Sequence, residues 1–133
     1  MVLPGIQALF GFQFMAVFND GFRTLDTVWQ YIHVGAMMLV ALSVLLIMMP
    51  AAYHRIAEPE QVSRPFADFA SRLIASAMVP FALALALELL IIAYAVTENV
   101  ALAAALSIVA ASALLSAWIV IPMRARVRKP KPQ

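Results

Sequence analysis

The stretch LIASAMVPFALALALELLIIAYAV, residues 73–96, carries one formal charge, Glu88. Crossing a hydrocarbon core of ~30 Å takes about 20 helical residues at ~1.5 Å each, so this stretch is long enough to span. Two more stretches qualify. WQYIHVGAMMLVALSVLLIMM, residues 29–49, is uncharged unless His33 protonates, and VALAAALSIVAASALLSAWIVIP, residues 100–122, is uncharged throughout. A fourth, residues 2–18, is at the short end and needs a thin membrane, a slight extension or a re-entrant path. Unpaired backbone groups are prohibitively costly in lipid, so all four are expected to be helices. None shows the period-2 alternation of a lipid-facing barrel strand. The expected fold class is an all-α membrane protein with one domain. Four transmembrane helices, at about 2–18, 29–49, 73–96 and 100–122, form an antiparallel up-down bundle, and a basic tail occupies 123–133.

Composition agrees. Of 133 residues, 65% are hydrophobic and 12% charged, against about 45–50% and about 25% in soluble domains. A core this small cannot bury such an excess. The absence of cysteine excludes disulfides, thiolate metal sites and cysteine nucleophiles, and leaves the redox compartment unreadable. The pI of about 9.4 does not point to nucleic acid, because the basic residues flank the apolar stretches and no nucleic-acid motif accompanies them.

Orientation follows from lysine and arginine. Arg55, Arg64 and Arg72 lie between the second and third helices; Arg124, Arg126, Arg128, Lys129 and Lys131 follow the fourth; Arg23 alone lies on the other side. This asymmetry places both termini and the loop at residues 51–65 in the cytoplasm, and residues 19–28 and 97–99 outside. The opening MVLPG lacks a positive charge and no cleavage site surrounds Met15-Ala16-Val17, so residues 2–18 read as a retained helix rather than a signal peptide. The short Thr97-Glu98-Asn99 connection makes helices three and four antiparallel neighbours. Asn19-Asp20-Gly21 is turn chemistry. In AEPEQVSRP, residues 57–65, Pro59 and Pro65 break helix, and a short interfacial helix can begin after Ser63-Arg64-Pro65.

The polar residues inside these stretches are the candidate sites. A central carboxylate costs ~2.5–3.5 kcal/mol to insert, so Glu88 is expected to face protein or water. It reads either as a proton- or cation-binding group or as a hydrogen-bonded Glu that joins helices. Its own helix face holds Ala84, Phe81 and Ala77, which are apolar, and Pro80 is two turns away. The more economical reading of His33 is an interfacial histidine beside Trp29 and Tyr31, although its depth permits a pair with Glu88. His33 and His54 fall at opposite membrane faces and cannot supply an axial haem pair.

Gln7, Gly11, Phe14 and Phe18 share one face of the first helix, whereas Gln13 lies about 120° away with Ile6 and Val17. These glutamines, with Asn19 and Gln30, are candidates for polar lining or helix–helix contacts. Tyr53, His54 and Arg55, with Arg124, Arg126 and Arg128, are expected to anchor lipid headgroups. Small residues at Ala103, Ser107 and Ala111 would let the fourth helix pack centrally or form an oligomer seam.

LPGIQALFGF near the start, FRTL after the first helix and PAAYHRI after the second resemble an uncharacterised bacterial family of small four-helix inner-membrane proteins. The matching residues are Gly5, Gln7, Leu9, Phe10 and Phe12; Phe18, Phe22 and Leu25; and Pro50, His54 and Arg55. The resemblance covers the first 56 residues and extends to the second half in hydropathy alone. The family's charged lead before the first helix and its basic residue at the position of Gly21 have no counterpart here. The resemblance implies the fold and a bacterial inner-membrane location, and no activity.

No nucleophile–base set, metal constellation or phosphate loop appears, so no enzyme, metal or cofactor is expected. Two functions remain open. Copies assemble around a pathway for protons or small ions, with Glu88 titrating, or the chain is a structural accessory subunit of a larger membrane complex. The expected partners are membrane lipids and either a second copy or that complex, with no nucleic acid.

Overall fold

The computed structural model describes residues 2–57 and 61–127, with the side chains of residues 4–57 and 61–125. Every regular element among the described residues is helical. In chain order these are α1 (Val2–Val17), a single-turn α2 (Asp20–Arg23), α3 (Thr27–Ala57), α4 (Arg64–Thr97), α5 (Val100–Leu115), a π-helical segment (Ser116–Val120) and α6 (Ile121–Val127).

Three continuous helical runs are long and apolar enough to cross a membrane: Thr27–Ala57, Arg64–Thr97 and Val100–Ala125. The α1 helix is apolar but shorter, with 16 residues and hence a length of ~24 Å. The exterior has the same character. Tyr31, Val34, Met38, Leu42, Leu45 and Met49 follow one another along α3 at helical spacing, and all are exposed. An apolar stripe of this extent is far larger than soluble monomers present to water, and together with the three long helices it marks a membrane protein.

Two boundaries differ from the sequence reading. The second apolar stretch ends at Met49, but α3 continues through Pro50 to Ala57, so residues 51–57 are helix rather than loop. Hydropathy marks where the apolar side chains stop, whereas the helix ends where its hydrogen-bond ladder stops. Pro50 removes only its own N–H from that ladder. Likewise the short helix expected after Ser63 is not separate. Ser63 caps α4 by accepting from the Phe66 N–H at 3.2 Å, Pro65 occupies the first turn, and the helix runs unbroken through Pro80 to Thr97. The closing turn is as tight as expected. Glu98 takes the left-handed conformation (φ 52°) at the end of α4, and Asn99 caps α5 by accepting from the Leu102 N–H at 3.1 Å.

The most extensive contact joins α3 and α4, followed by α4 with α5, and α1 rests on α3. Alanines allow the close approach. Ala77, Ala82, Ala84, Ala86 and Ala93 are buried on α4, facing small residues such as Ala36 on α3 and Ala103 on α5. The Ser107 hydroxyl donates to the Ala86 carbonyl at 2.7 Å, joining α5 to α4. The Ala103–Ser107 face is therefore the α4 seam. The remainder of α5 is mostly exposed, so this helix lies at the bundle edge and does not pack centrally.

The core is a convergence of three helices: Ile6 of α1, Val40 of α3 and Ala84 of α4, flanked by Phe10, Leu39, Val44, Ile47 and Phe81. Ile6 beside Val40 and Gln13 beside His33 are separated by seven residues on both helices. This antiparallel register puts Val17 at the level of Trp29 and Val2 at the level of Val44. The register sets up the site.

Candidate functional site

The register brings the three strongest polar candidates together. Gln13 (3% exposed) comes from α1, and His33 (2%) comes from α3. Glu88 comes from α4, with 16% of its side chain exposed. The Gln13 Nε2 donates to Glu88 Oε1 at 2.8 Å. His33 Nδ1 lies 3.0 Å from Glu88 Oε1 and 3.2 Å from Oε2, while Nε2 lies 3.0 Å from the Gln13 backbone oxygen. Among the described residues this is the one ion-pair contact.

The bonding pattern determines the proton inventory. A backbone carbonyl only accepts, so His33 Nε2 carries a hydrogen. If Glu88 is ionised, Nδ1 must carry a second hydrogen to bond it, and the imidazole is cationic. If the imidazole is neutral, Nδ1 is a bare acceptor and Glu88 must donate its own O–H. Either way one proton lies between Nδ1 and the carboxyl group. Oε1 accepts from Gln13, and Oε2 also lies within hydrogen-bond distance of Nδ1, so both carboxyl oxygens are engaged. Removing the shared proton would set the Nδ1 lone pair against a carboxylate.

The histidine is buried and paired with Glu88, the arrangement that its depth permitted, rather than exposed beside Trp29 and Tyr31. It is enclosed because α1 and α2 fold over the N-terminal end of α3. The Phe22 ring meets the His33 ring edge-on at 4.9 Å. Gln30 holds that loop in place, its Nε2 donating to the Leu25 carbonyl at 2.9 Å and more weakly to the Phe22 carbonyl at 3.5 Å. Gln30 is therefore a loop clamp, and among the described residues its side chain makes no hydrogen bond to another long helix. Asn19 lines nothing: its side chain accepts from the Gly21 N–H at 2.9 Å and caps α2. Gln7 is exposed, on a different side of α1 from the buried Ile6 and Gln13, so the two glutamines do point to different faces.

A model described as a family of unknown function (DUF6328) matches residues 1–122. The chain belongs to this family. No curated protein and no solved structure matches it. The DUF6328 match extends well past the first 56 residues that carried the sequence resemblance, and it includes all three residues of the buried cluster.

At the other end of this DUF6328 chain, the anchoring candidates have two roles. The Tyr53 ring stacks on Phe66 with centroids 5.8 Å apart, and the His54 ring lies 5.3 Å from the same ring. These two residues therefore join the end of α3 to the start of α4. Arg55 and Arg124 are exposed. The Arg126 side chain and Arg128 lie outside the described residues. The contribution of Phe22 to the site was missed from sequence because an aromatic in a polar turn carries no periodic signal.

Proposed function

We propose that the protein is a non-enzymatic proton-permeation protein of the bacterial inner membrane, with the His33–Glu88 pair as its proton-carrying group. One observation carries this reading: a carboxyl group and an imidazole, in direct contact within an apolar helical layer, hold one proton between them. A buried acid–imidazole pair is costly in such a layer and is characteristic of proton paths. Gln13 is a positioning residue, since its amide holds the Glu88 carboxyl group in place beside the imidazole.

In this reading α1 is the fourth membrane helix. It covers the outer part of the layer and ends within ~8 Å of the inner boundary near Met49, by the register with α3. Both termini face the cytoplasm, in accord with the distribution of arginine and lysine. Arg55, Arg124, Arg126 and Arg128 then lie at the inner headgroup level, where each basic residue contributes ~1 kcal/mol of attraction to anionic lipid. Inward of the pair, the core residues Ile6, Val40 and Ala84 are apolar, so copies assembled side by side complete the route.

Proteoliposomes carrying an internal pH dye test the reading. Wild-type protein is expected to leak protons under an imposed gradient, and Glu88→Gln, which keeps shape and hydrogen bonding but cannot exchange the acid proton, is expected to return the rate towards that of empty vesicles. Wild-type vesicles no leakier than empty ones would overturn it. A second reading, a structural accessory subunit of a larger membrane complex, is favoured by the same bonds, because they tie α1, α3 and α4 together. It predicts co-purification with other chains in mild detergent, and a clean preparation of this chain alone counts against it.

A further inference from the structure

Gln7 is left over once the buried cluster is accounted for. Its side chain is exposed, and it makes no hydrogen bond among the described residues. Its depth makes this unusual. The preceding residue, Ile6, packs against Val40 and Ala84, and Val40 lies close to the centre of the apolar stretch at residues 29–49. Gln7 therefore projects from the bundle at mid-layer, far from either headgroup region, where neither snorkelling nor water satisfies an amide. A primary amide at that depth requires a hydrogen-bonding partner from another protein surface.

The surroundings of Gln7 indicate which surface. Gln7, Gly11, Phe14 and Phe18 share one face of α1. Phe14 and Phe18 are exposed, and a side chain placed at Gly11 would meet no atom within 4 Å. Gly11 thus leaves a notch one turn from Gln7, flanked by exposed rings, through which a second backbone can approach. Copies of one chain in one membrane share orientation and depth, so a two-fold axis along the membrane normal brings each residue opposite itself. A primary amide carries both a donor and an acceptor, and so is complementary to its own copy at the same depth. Few other side chains have this property.

We infer that the Gln7–Gly11–Phe14 face of α1 is the docking surface for a second copy of this chain, in a parallel two-fold contact closed by a Gln7–Gln7 amide pair. The inference rests on the membrane-embedded, self-assembling part of the proposed function and not on proton carriage. The contact faces away from Gln13, so docking leaves the His33–Glu88 pair undisturbed inside each copy.

The chain contains no cysteine, so single cysteines report contacts without background. Purified full-length Gly11→Cys and Phe14→Cys proteins, at high lipid-to-protein ratio in vesicles, are expected to form disulfide-linked dimers under mild oxidation. Phe12→Cys, more exposed than Phe14 but on another face, is expected to do so several-fold less. Adding Gln7→Leu to Gly11→Cys should lower the dimer yield several-fold, and adding Gln7→Asn should largely preserve it. Yields at Gly11 and Phe14 no higher than at Phe12, or a yield indifferent to Gln7→Leu, would overturn the interface. The cross-linking readout is separate from the proton leak, so a leak retained without this cross-link would overturn the docking surface alone, and the cross-link without a leak would overturn the proton reading alone.

Discussion

Replacing His33 with leucine is expected to destabilise the bundle by about 3 kcal/mol, the lower end of the range for removing one partner of a buried charged pair. The cost has two parts. Glu88 loses the group that shares its proton, and the Gln13 carbonyl loses the donor that satisfies it. The lower end applies because Glu88 can take up a proton and keep its bond from Gln13. The double replacement His33→Leu with Glu88→Met should recover more than half of the loss, since a wholly apolar substitute leaves neither group stranded. The coupling between the two sites is then the difference between the double variant and the sum of the singles. Unfolding by graded denaturing detergent in mixed micelles measures all four proteins. Equal and additive losses would mean that the pair is not coupled.

The second large effect acts through packing. Ala84 is fully buried where α1, α3 and α4 converge, one turn from Glu88. Ala84→Leu adds three carbons to a site with no space, and overpacking of this kind typically costs about 1–3 kcal/mol. The strain should be relieved at the weakest contact. The α1 helix is short and has the smallest contact of the three, so it is the helix expected to move. Displacing it separates Gln13 from Glu88 and uncovers His33. Ala84→Leu should therefore raise labelling of a cysteine introduced at Gln13 by a membrane-permeant thiol reagent, whereas Ala95→Leu, on the exposed C-terminal end of α4, should leave it unchanged. Unaltered labelling in Ala84→Leu would show that α1 is seated by something other than this core.

Much of the architecture was legible from residue 29 onward because long apolar stretches have one physical solution, a helix. The helix ends were less legible. Residues 51–57 and 64–72 mix polar and apolar side chains, and hydropathy does not register a hydrogen-bond ladder that continues beyond the apolar layer. For the site, Glu88 stood out because its charge is isolated, and the two glutamine faces of α1 follow directly from helical geometry. A His33–Glu88 pair was permitted by depth but not required, and the part of Gln13 in it did not follow. Glu88's own face is apolar, and its partners arrive from two other helices separated from it by 55 and 75 positions. That contact depends on the register of α1 against α3, which is set by Ile6 and Val40 packing on Ala84. Such a register is a property of three surfaces together and has no signature in any one of them.

The central claim is that one proton is shared between His33 Nδ1 and the Glu88 carboxyl group. Solid-state NMR of protein labelled with ¹⁵N-histidine in lipid, with His54→Asn to leave a single histidine, tests it directly when paired with the infrared carboxyl band removed by Glu88→Gln. Nε2 is predicted to be protonated, accompanied either by a protonated Nδ1 and an ionised Glu88 or by a bare Nδ1 and a protonated Glu88. A neutral His33 protonated on Nδ1, or a bare Nδ1 facing an ionised Glu88, would contradict the account.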